Sequence, residues 1–428
     1  MVASAQSGPV LEEITVTARK REESVLEIPE SVTNFSASEL DRANIRSLKD
    51  IGLSVPNLFM STRMDGFPNV SIRGMGGFGN TQGVGFYLDD VQLFSDQSSR
   101  FGDLERVEVL KGPQGVLYGG SNIGGAVKFV SVRPSSDAVE GQLKASLGEF
   151  GFRDIEGQVN LPLGESWAMR VFAFDESSDG FLTNPNSVRA NGLRNNNDPD
   201  VGAVDRHGAR IAVAGNVGDR LTAYLTARYN ELDGPNNTWI RELDGNFEYP
   251  DTVDTSFNPR HERETVAFTG ELNYDFDAVT VTFIGSYTDT SSERESDLDL
   301  SQDWVLDLIR PEEFEAVTAE FRLSSSTDDA FQWQLGAFHL NLDRDLRSVL
   351  NIRGGFCFLD PGFCDPPPPE DDDVIQAVAP FEVSDRRRRQ NALFASGTYR
   401  FEDWEVSAGL RIDDWQSDRN NLDSGLSG

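Results

Sequence analysis

No run of about twenty apolar residues occurs anywhere in these 428 residues, which excludes a membrane-spanning helix. Spanning strands remain open, because each needs only about ten alternating residues and leaves a far weaker trace in hydropathy. Positive charge is also scarce: 38 lysines and arginines face 71 acids, for a net charge of −33. So acidic a chain lacks the basic footprint that phosphates demand, and no nucleic-acid partner is expected. Histidine is rarer still. His207, His261 and His339 are scattered without metal-ligand spacing, so no metal site and no cofactor is expected. The two cysteines, Cys357 and Cys364, sit between glycine and proline in a stretch with no strand pattern. A small disulfide-closed loop in an oxidising compartment fits them better than a metal site, which needs more ligands close by. No nucleophile–base constellation is present either, so no catalytic residue and no enzyme is expected. At the N-terminus, Ala3-Ser4-Ala5 before Gln6 looks like the end of a secretory signal without its charged and apolar regions. It is either a leader's remnant, the preferred reading, or chance in a polar tail.

Glycine, by contrast, is abundant at 39 residues, and Ser71–Asn80 (SIRGMGGFGN) contains a literal G-x-G-x-x-G at Gly74, Gly76 and Gly79. A dinucleotide loop needs a strand before that pattern and a helix after it. Val70-Ser71-Ile72 alternates as a strand should. Asn80 to Gly85, however, adds two more glycines and a valine and shows no apolar stripe, so no phosphate-cradling helix starts there. The glycines are expected to serve tight turns and positive φ instead.

The chain has two textures, with a boundary near Pro134. Before it, short strands are predicted at Val70–Arg73, Val84–Leu88, Leu104–Lys111 and Gly125–Val130. A helix over residues 38–43, capped by Ser36 or Ser38, is predicted ahead of a second over Arg46–Ile51. From Glu140 onward, long segments alternate with period two. Leu221, Ala223, Leu225, Ala227 and Tyr229 share one face against Thr222, Tyr224, Thr226, Arg228 and Asn230. Val266 to Tyr274, Val279 to Tyr287, Val317 to Leu323 and Trp404 to Ile412 repeat the design. A soluble sandwich is the simplest account, but the connections weigh against it. Tight turns at Gly164–Ser166, Gly218–Arg220, Phe276–Asp277, Thr327–Ala330 and Glu402–Asp403 alternate with long polar stretches at about 177–205, 232–262, 289–313 and 345–389. One rim of turns and one rim of loops predict an outer-membrane barrel, with Trp167, Trp333 and Trp404 as an interfacial girdle.

A family resemblance joins the two textures. Leu104 to Lys111 (LERVEVLK), Gly112-Pro113-Gln114-Gly115, Leu117-Tyr118-Gly119 and Gly124-Gly125-Ala126-Val127 resemble, in order, the plug of TonB-dependent outer-membrane receptors. Ile28 to Val32, Val55 to Leu58, Ile72-Arg73-Gly74 and Tyr87 to Asp90 match that plug's other landmarks. Lys111 departs from the usual arginine, and Gly120 to Ile123 from the usual tetrapeptide. The resemblance implies a mainly β fold: an N-terminal α+β plug domain and an antiparallel transmembrane β-barrel. About eleven strands are countable of about twenty-two, so the sequence is expected to be a piece of a longer receptor. The expected domains are 1–25 (signal remnant and TonB-box segment), 26–134 (plug) and 135–428 (partial barrel).

The resemblance also implies sites and partners. Glu13, Ile14, Thr15, Val16, Thr17 and Ala18 resemble the TonB box, a β-prone run that adds a strand to TonB, the partner energised from the inner membrane. Flanking charges from Arg19 to Glu23 are expected to keep it soluble and unpaired. The plug-motif residues are Arg73, Gly74, Glu105, Arg106, Lys111, Gly112, Pro113, Gly115, Tyr118, Gly119, Gly124 and Gly125, with Arg73 expected to face barrel carboxylates. Turn-like settings nominate Arg63, Met64, Phe67, Phe78, Asn80, Asp96 and Arg100 as ligand contacts. Arg386 to Arg389, at the base of a long loop, are candidates for lipopolysaccharide phosphates, and the barrel wall for outer-membrane lipid. The implied place is the outer membrane of a Gram-negative bacterium, with plug and box towards the periplasm. The implied activity is energised import of a scarce solute, a ferric siderophore first, with a carbohydrate or vitamin, or passive adhesion, as alternatives.

Overall fold

A computed structural model describes residues 15–26, 28–46, 48–62, 68–76, 83–94, 100, 102–120, 122–184, 200–235, 252–253, 255, 258–298, 306–325, 330–353, 375–402 and 404–421. Glu13, Ile14, Arg63, Met64, Phe67, Phe78, Asn80, Asp96, Cys357 and Cys364 lie outside them. The described residues of 1–60, 70–94 and 104–131 form one compact unit, and those of 61–69, 95–103 and 132–428 form another.

The first unit opens with β1 (Thr15–Val16) paired antiparallel to β2 (Glu23–Ser24). There follow β3 (Ser31–Ser36), α1 (Ala37–Arg42), α2 (Leu48–Ser54), β4 (Leu58–Thr62), β5 (Pro68–Ile72) and β6 (Met75–Gly76). Next come β7 (Val84–Leu88), β8 (Val91–Gln92), β9 (Leu104–Lys111), α3 (Gly115–Tyr118) and β10 (Gly125–Ser131). A mixed sheet runs in the order β3-β9-β10-β7-β8, with β10 parallel to β7 and its other pairings antiparallel. Of the two cap candidates for α1, Ser36 is used. Its backbone N–H donates to the Glu39 carboxylate at 2.9 Å and its hydroxyl at 2.8 Å, the reciprocal half of a capping box. Those bonds hold the Glu39 carboxyl below the ordinary carboxylate range.

Gly74 and Gly76 of the rejected dinucleotide pattern belong to this unit. Gly74 has φ +77° in the turn between β5 and β6, and the next element among the described residues is strand β7, not a helix. Gly125 is the most constrained of the plug-motif glycines. Its φ is +144°, and a Cβ there would lie 2.1 Å from the Leu110 carbonyl oxygen of the neighbouring strand. Both faults act together in Gly125→Ala, so that substitution is expected to destabilise this unit by about 3 kcal/mol or more. A drop in the urea midpoint of the protein, against an unchanged Gly74→Asn control, checks it.

The second unit is one antiparallel sheet of eleven strands with simple up-and-down order. These are β11 (Glu140–Leu147), β12 (Arg153–Pro162), β13 (Trp167–Ser178), then, after a small pair β14 (Leu182–Thr183) and β15 (Asp200–Val201), β16 (Val204–Val217). β17 (Leu221–Pro235), β18 (Arg260–Asp275), β19 (Val279–Asp297), β20 (Leu306–Ser325), β21 (Phe331–Arg353), β22 (Ile375–Phe401) and β23 (Trp404–Asn421) complete it. Among the described residues, β11 and β23 are each paired on one side only. No helix of the described residues is long and apolar enough to cross a membrane.

Period two divides the side chains of this sheet as predicted. On β18, Phe268, Leu272 and Tyr274 are exposed on one face, while Arg263, Thr265 and Ala267 are buried on the other. β19 repeats this with exposed Phe283 against buried Thr282, Ile284 and Ser286. The exposed apolar run on β18 extends from Val266 to Tyr274, close to the about 9–11 residues that a tilted strand needs to cross hydrocarbon. Trp167 and Trp404 begin their strands and Trp333 lies near the start of β21, all three on the apolar face.

The long polar stretches differ from expectation. Much of 289–313 and 345–389 is not loop: β19 runs on to Asp297, β20 restarts at Leu306, β21 reaches Arg353 and β22 begins at Ile375. Past the apolar run the outer face becomes Asp289, Ser291, Glu293 and Glu295, so polarity suggested loop. The backbone ladder is indifferent to that change, because charged side chains on a solvated sheet face leave its hydrogen bonds intact. Arg386 to Arg389 therefore lie within β22 rather than in a loop, and alternation splits them. Arg387 and Arg389 share the outer face, with Arg387 donating to Asp343 at 2.6 Å, while Arg386 and Arg388 lie on the other.

Candidate functional site

The described part of the box segment is docked, which overturns the expectation that it is unpaired. Val16 and Ala18 are 0% and 1% exposed and pack in one cluster with Ile28, Tyr87, Leu110, Tyr118 and Ala126. The flanking charges close the loop instead of solvating it. Arg19 and Glu23 form an ion pair at 2.9 Å, Lys20 turns the chain with φ +57°, and its ammonium lies 5.2 Å from the centre of the Tyr118 ring.

Thr17, between the two apolar anchors, is held on every polar atom. Its backbone N–H and hydroxyl donate to Glu108 Oε1 at 2.9 and 3.1 Å. Its carbonyl accepts from Tyr118 Oη at 3.2 Å and from Lys128 Nζ at 3.3 Å, and Lys128 also donates to its hydroxyl at 2.6 Å. Glu108 is fully buried and accepts from Arg106 Nε at 2.7 Å, while Lys128 pairs with Asp90 at 2.6 Å. Behind them, Asn122 donates to Tyr87 Oη at 2.7 Å, and Tyr87 donates to the Tyr118 carbonyl at 2.8 Å.

The strands explain this assembly. In LERVEVLK, alternation puts Arg106, Glu108 and Leu110 on the box side of β9 and Val107 and Val109 on the other. Glu108 and Lys128 are Cα partners in the β9–β10 ladder, so their opposite charges meet the same box residue. Of the predicted motif residues, Arg106 and Tyr118 join the site directly. Gly112, Gly119 and Gly125 have positive φ and shape its turns, with Gly112 N–H bonded to the Gly124 carbonyl at 3.0 Å. Gly115 opens α3, Glu105 is exposed and pairs with Arg106, and Pro113 is exposed. Arg73 is exposed, has φ +54°, and forms no ion pair among the described residues. The sequence reading missed Glu108, Lys128, Asp90 and Asn122. Charges inside otherwise apolar strands, Glu108 in V-E-V-L and Lys128 in A-V-K-F-V, were the available signal.

Arg100 is corrected more sharply, since it does not stand open to a ligand. It is 4% exposed on the polar face of the large sheet, where it pairs with Asp154, with Glu156 at 2.5 Å and with Glu176 at 3.0 Å. Three residues on, Asp103 has the reverse arrangement. Arg170 grips it in bidentate fashion at 2.7 and 2.5 Å, and Arg210 pairs with it too. Between them Gly102 lies under the Phe172 ring, with 2.0 Å left for a Cβ. Residues 100–103 are thus tied to β12, β13 and β16 by two charge clusters of opposite sense.

Comparison with known proteins agrees with this architecture. Residues 24–126 match the TonB-dependent Receptor Plug Domain family. Among curated proteins, the chain is 29% identical over 189 residues to the vitamin B12 transporter BtuB of Vibrio vulnificus, a match covering 41% of this chain and 30% of that protein. It is 30% identical over 151 residues to the ferrichrome outer membrane transporter/phage receptor of Escherichia coli, covering 32% of this chain and 20% of that one. The structure of the siderophore receptor PiuA from Acinetobacter baumannii superposes with a TM-score of 0.75 at 16% identity, covering 95% of this chain and 60% of that one. The chain thus spans well under two thirds of the relatives it matches. Residues 24–126 thus carry a TonB-dependent receptor plug domain, and the large antiparallel sheet has the fold of solved receptors of that kind, so the chain is similar to TonB-dependent receptors.

Proposed function

We propose that this chain is part of an outer-membrane importer in which TonB pulls the box segment to admit a scarce solute, a ferric siderophore first, into the periplasm. The single observation that carries the reading is the manner in which Thr15–Ala18 is held. A two-residue strand pair and one side-chain network fasten an otherwise extended segment. Such a segment is releasable as a unit, and once free its main chain suits strand addition to a partner's sheet edge. The apolar outer face of the large sheet supports an outer-membrane setting, since only closed barrels satisfy strand edges in lipid. A vitamin cargo is the second reading, favoured by the similarity to a vitamin B12 transporter.

Deleting Glu13–Ala18 in the product of the complete gene is expected to reduce uptake more than tenfold while surface-exposed receptor and solute binding remain. Val16→Pro, which removes one main-chain donor and leaves the segment's length intact, is expected to do the same. Uptake of radiolabelled iron chelates and vitamin B12 by whole cells is the measurement. Undiminished uptake in both variants would eliminate energised import.

A further inference from the structure

The outer face of the large sheet is apolar, and on β19 to β23 it is also hollow. Across β20, β21 and β22, Phe321, Ala337 and Leu393 are successive Cα partners, so a methyl group sits between two large side chains. Ala319 lies one row nearer the rim of the long connections, and Phe283 and Ile412 extend the two walls on β19 and β23. These six residues line a cleft of about 470 Å³, within the about 300–1,000 Å³ of small-ligand sites. The walls face outward, with Leu393 66% and Ile412 65% exposed.

The next row towards that rim borders the cleft with polar groups. His339, Asn391 and Asp414 are successive Cα partners on β21, β22 and β23, each two residues from Ala337, Leu393 and Ile412 in turn. His339 Nδ1 lies 2.8 Å from Asn391 Oδ1. An amide oxygen only accepts, so Nδ1 donates this bond and leaves both Asn391 Nδ2 hydrogens for another acceptor. Neither Asn391 Nδ2 nor the Asp414 carboxylate has a side-chain partner among the described residues. A donor and an acceptor thus stand one strand apart where the apolar cleft meets polar surface, since Arg389 and Gln416 form the row beyond.

Hydrogen-bonding valence selects among the amphiphiles that such a cleft could hold. A saturated chain satisfies the apolar walls whatever its headgroup. A simple ester carbonyl accepts from Asn391 but has nothing to donate to Asp414. A 3-hydroxyacyl group carries a carbonyl and, two carbons on, a hydroxyl. It therefore accepts from Asn391 and donates to Asp414 on the neighbouring strand, about 4.8 Å away. Polar groups left unpaired beside hydrocarbon are costly, so the second bond discriminates. Resting on the outer-membrane setting proposed above, we propose that this cleft seats one 3-hydroxyacyl chain of an outer-leaflet glycolipid, its carbonyl on Asn391 and its hydroxyl on Asp414.

The test uses the product of the complete gene, purified in detergent, with bound lipid counted by native mass spectrometry. The probes are N-(3-hydroxytetradecanoyl)glucosamine 1-phosphate and its N-tetradecanoyl analogue, which share one headgroup and one chain length. The hydroxylated probe is expected to bind roughly fivefold to tenfold more tightly, as one net hydrogen bond allows. Asn391→Leu with Asp414→Leu is expected to make the two probes bind equally. Ala337→Phe, which fills the cleft, is expected to weaken both by roughly tenfold, and Ala319→Phe, from the neighbouring strand, to do the same. Equal binding of the two probes by the parent, a preference that survives the leucine pair, or full binding after both phenylalanine substitutions overturns the inference. So does phosphatidylethanolamine binding as tightly as the hydroxylated probe, since its ammonium would then be the group that Asp414 receives. Cell fractionation separates this inference from the reading beneath it. Recovery of the protein outside the outer membrane overturns both, whereas equal binding of the two probes by protein recovered in that membrane overturns this one alone.

Discussion

Glu108→Ala is expected to release the box segment. Glu108 Oε1 accepts from the Thr17 N–H, the Thr17 hydroxyl and Arg106 Nε, and its side chain is fully buried. Alanine leaves all three donors facing a cavity and leaves Arg106 only the exposed carboxylate of Glu105 as counter-charge. Hydrogen bonds to a charged acceptor contribute about 1.5–3 kcal/mol each, and they are not additive within one network. Taking about 3 kcal/mol as the net loss, the undocked population of the segment rises roughly a hundredfold. A Val16→Cys reporter, carried by both the parent and the Glu108→Ala receptor, converts this into a labelling rate with a membrane-impermeant maleimide. Equal labelling rates would mean that apolar contacts of Val16 and Ala18 alone fasten the segment. Lys128→Met is a useful comparison, because Lys128 also serves Asp90 and its loss is shared between two partners.

The second large effect is expected at Asp103, where one carboxylate neutralises two arginines. Arg170 and Arg210 are 8% and 6% exposed, and Asp103 is the counter-ion common to both. Removing one member of a buried ion cluster costs about 3–5 kcal/mol, because the remaining charges are stranded out of water. Asp103→Ala is therefore expected to lower the urea midpoint of the full-length receptor accordingly, followed by tryptophan fluorescence. The triple variant Asp103→Ala, Arg170→Met, Arg210→Met is expected to regain most of the loss, since an apolar set of similar volume replaces a charged one. No recovery in the triple variant would assign the effect to the backbone at residues 102–103. The same logic gives Arg100 a structural place among Asp154, Glu156 and Glu176, where it is unavailable to a solute.

Much of this was legible in the sequence because it depends on local rules. Strand residues alternate, so the pattern by itself puts Phe268 and Leu272 on the face opposite Thr265 and Thr269, and the short turns before Trp167 and Trp404 put those two at strand starts. Glycine punctuation located the turns at 164 and 218, where Gly164 and Gly218 have positive φ, and a break in alternation located the one at Phe276–Asp277, where Asp277 does. What misled was polarity taken as a proxy for loop. Residues 289–297 are acidic on one face and pair residue by residue with 307–315, and nothing in composition distinguishes a solvated ladder from an unpaired coil.

The sequence alone determined the family-like order of plug motifs, the period-two wall and its apolar run, because each is written in neighbours a few residues apart. Only the tertiary structure decided that Thr17 rests on Glu108 and Lys128, that Arg100 and Asp103 are clamped by opposite charges, and that His339 meets Asn391 beside an apolar cleft. Those pairings join residues tens of positions apart, and strand register, which fixes them, follows from packing across the whole sheet instead of from any local stretch of chain.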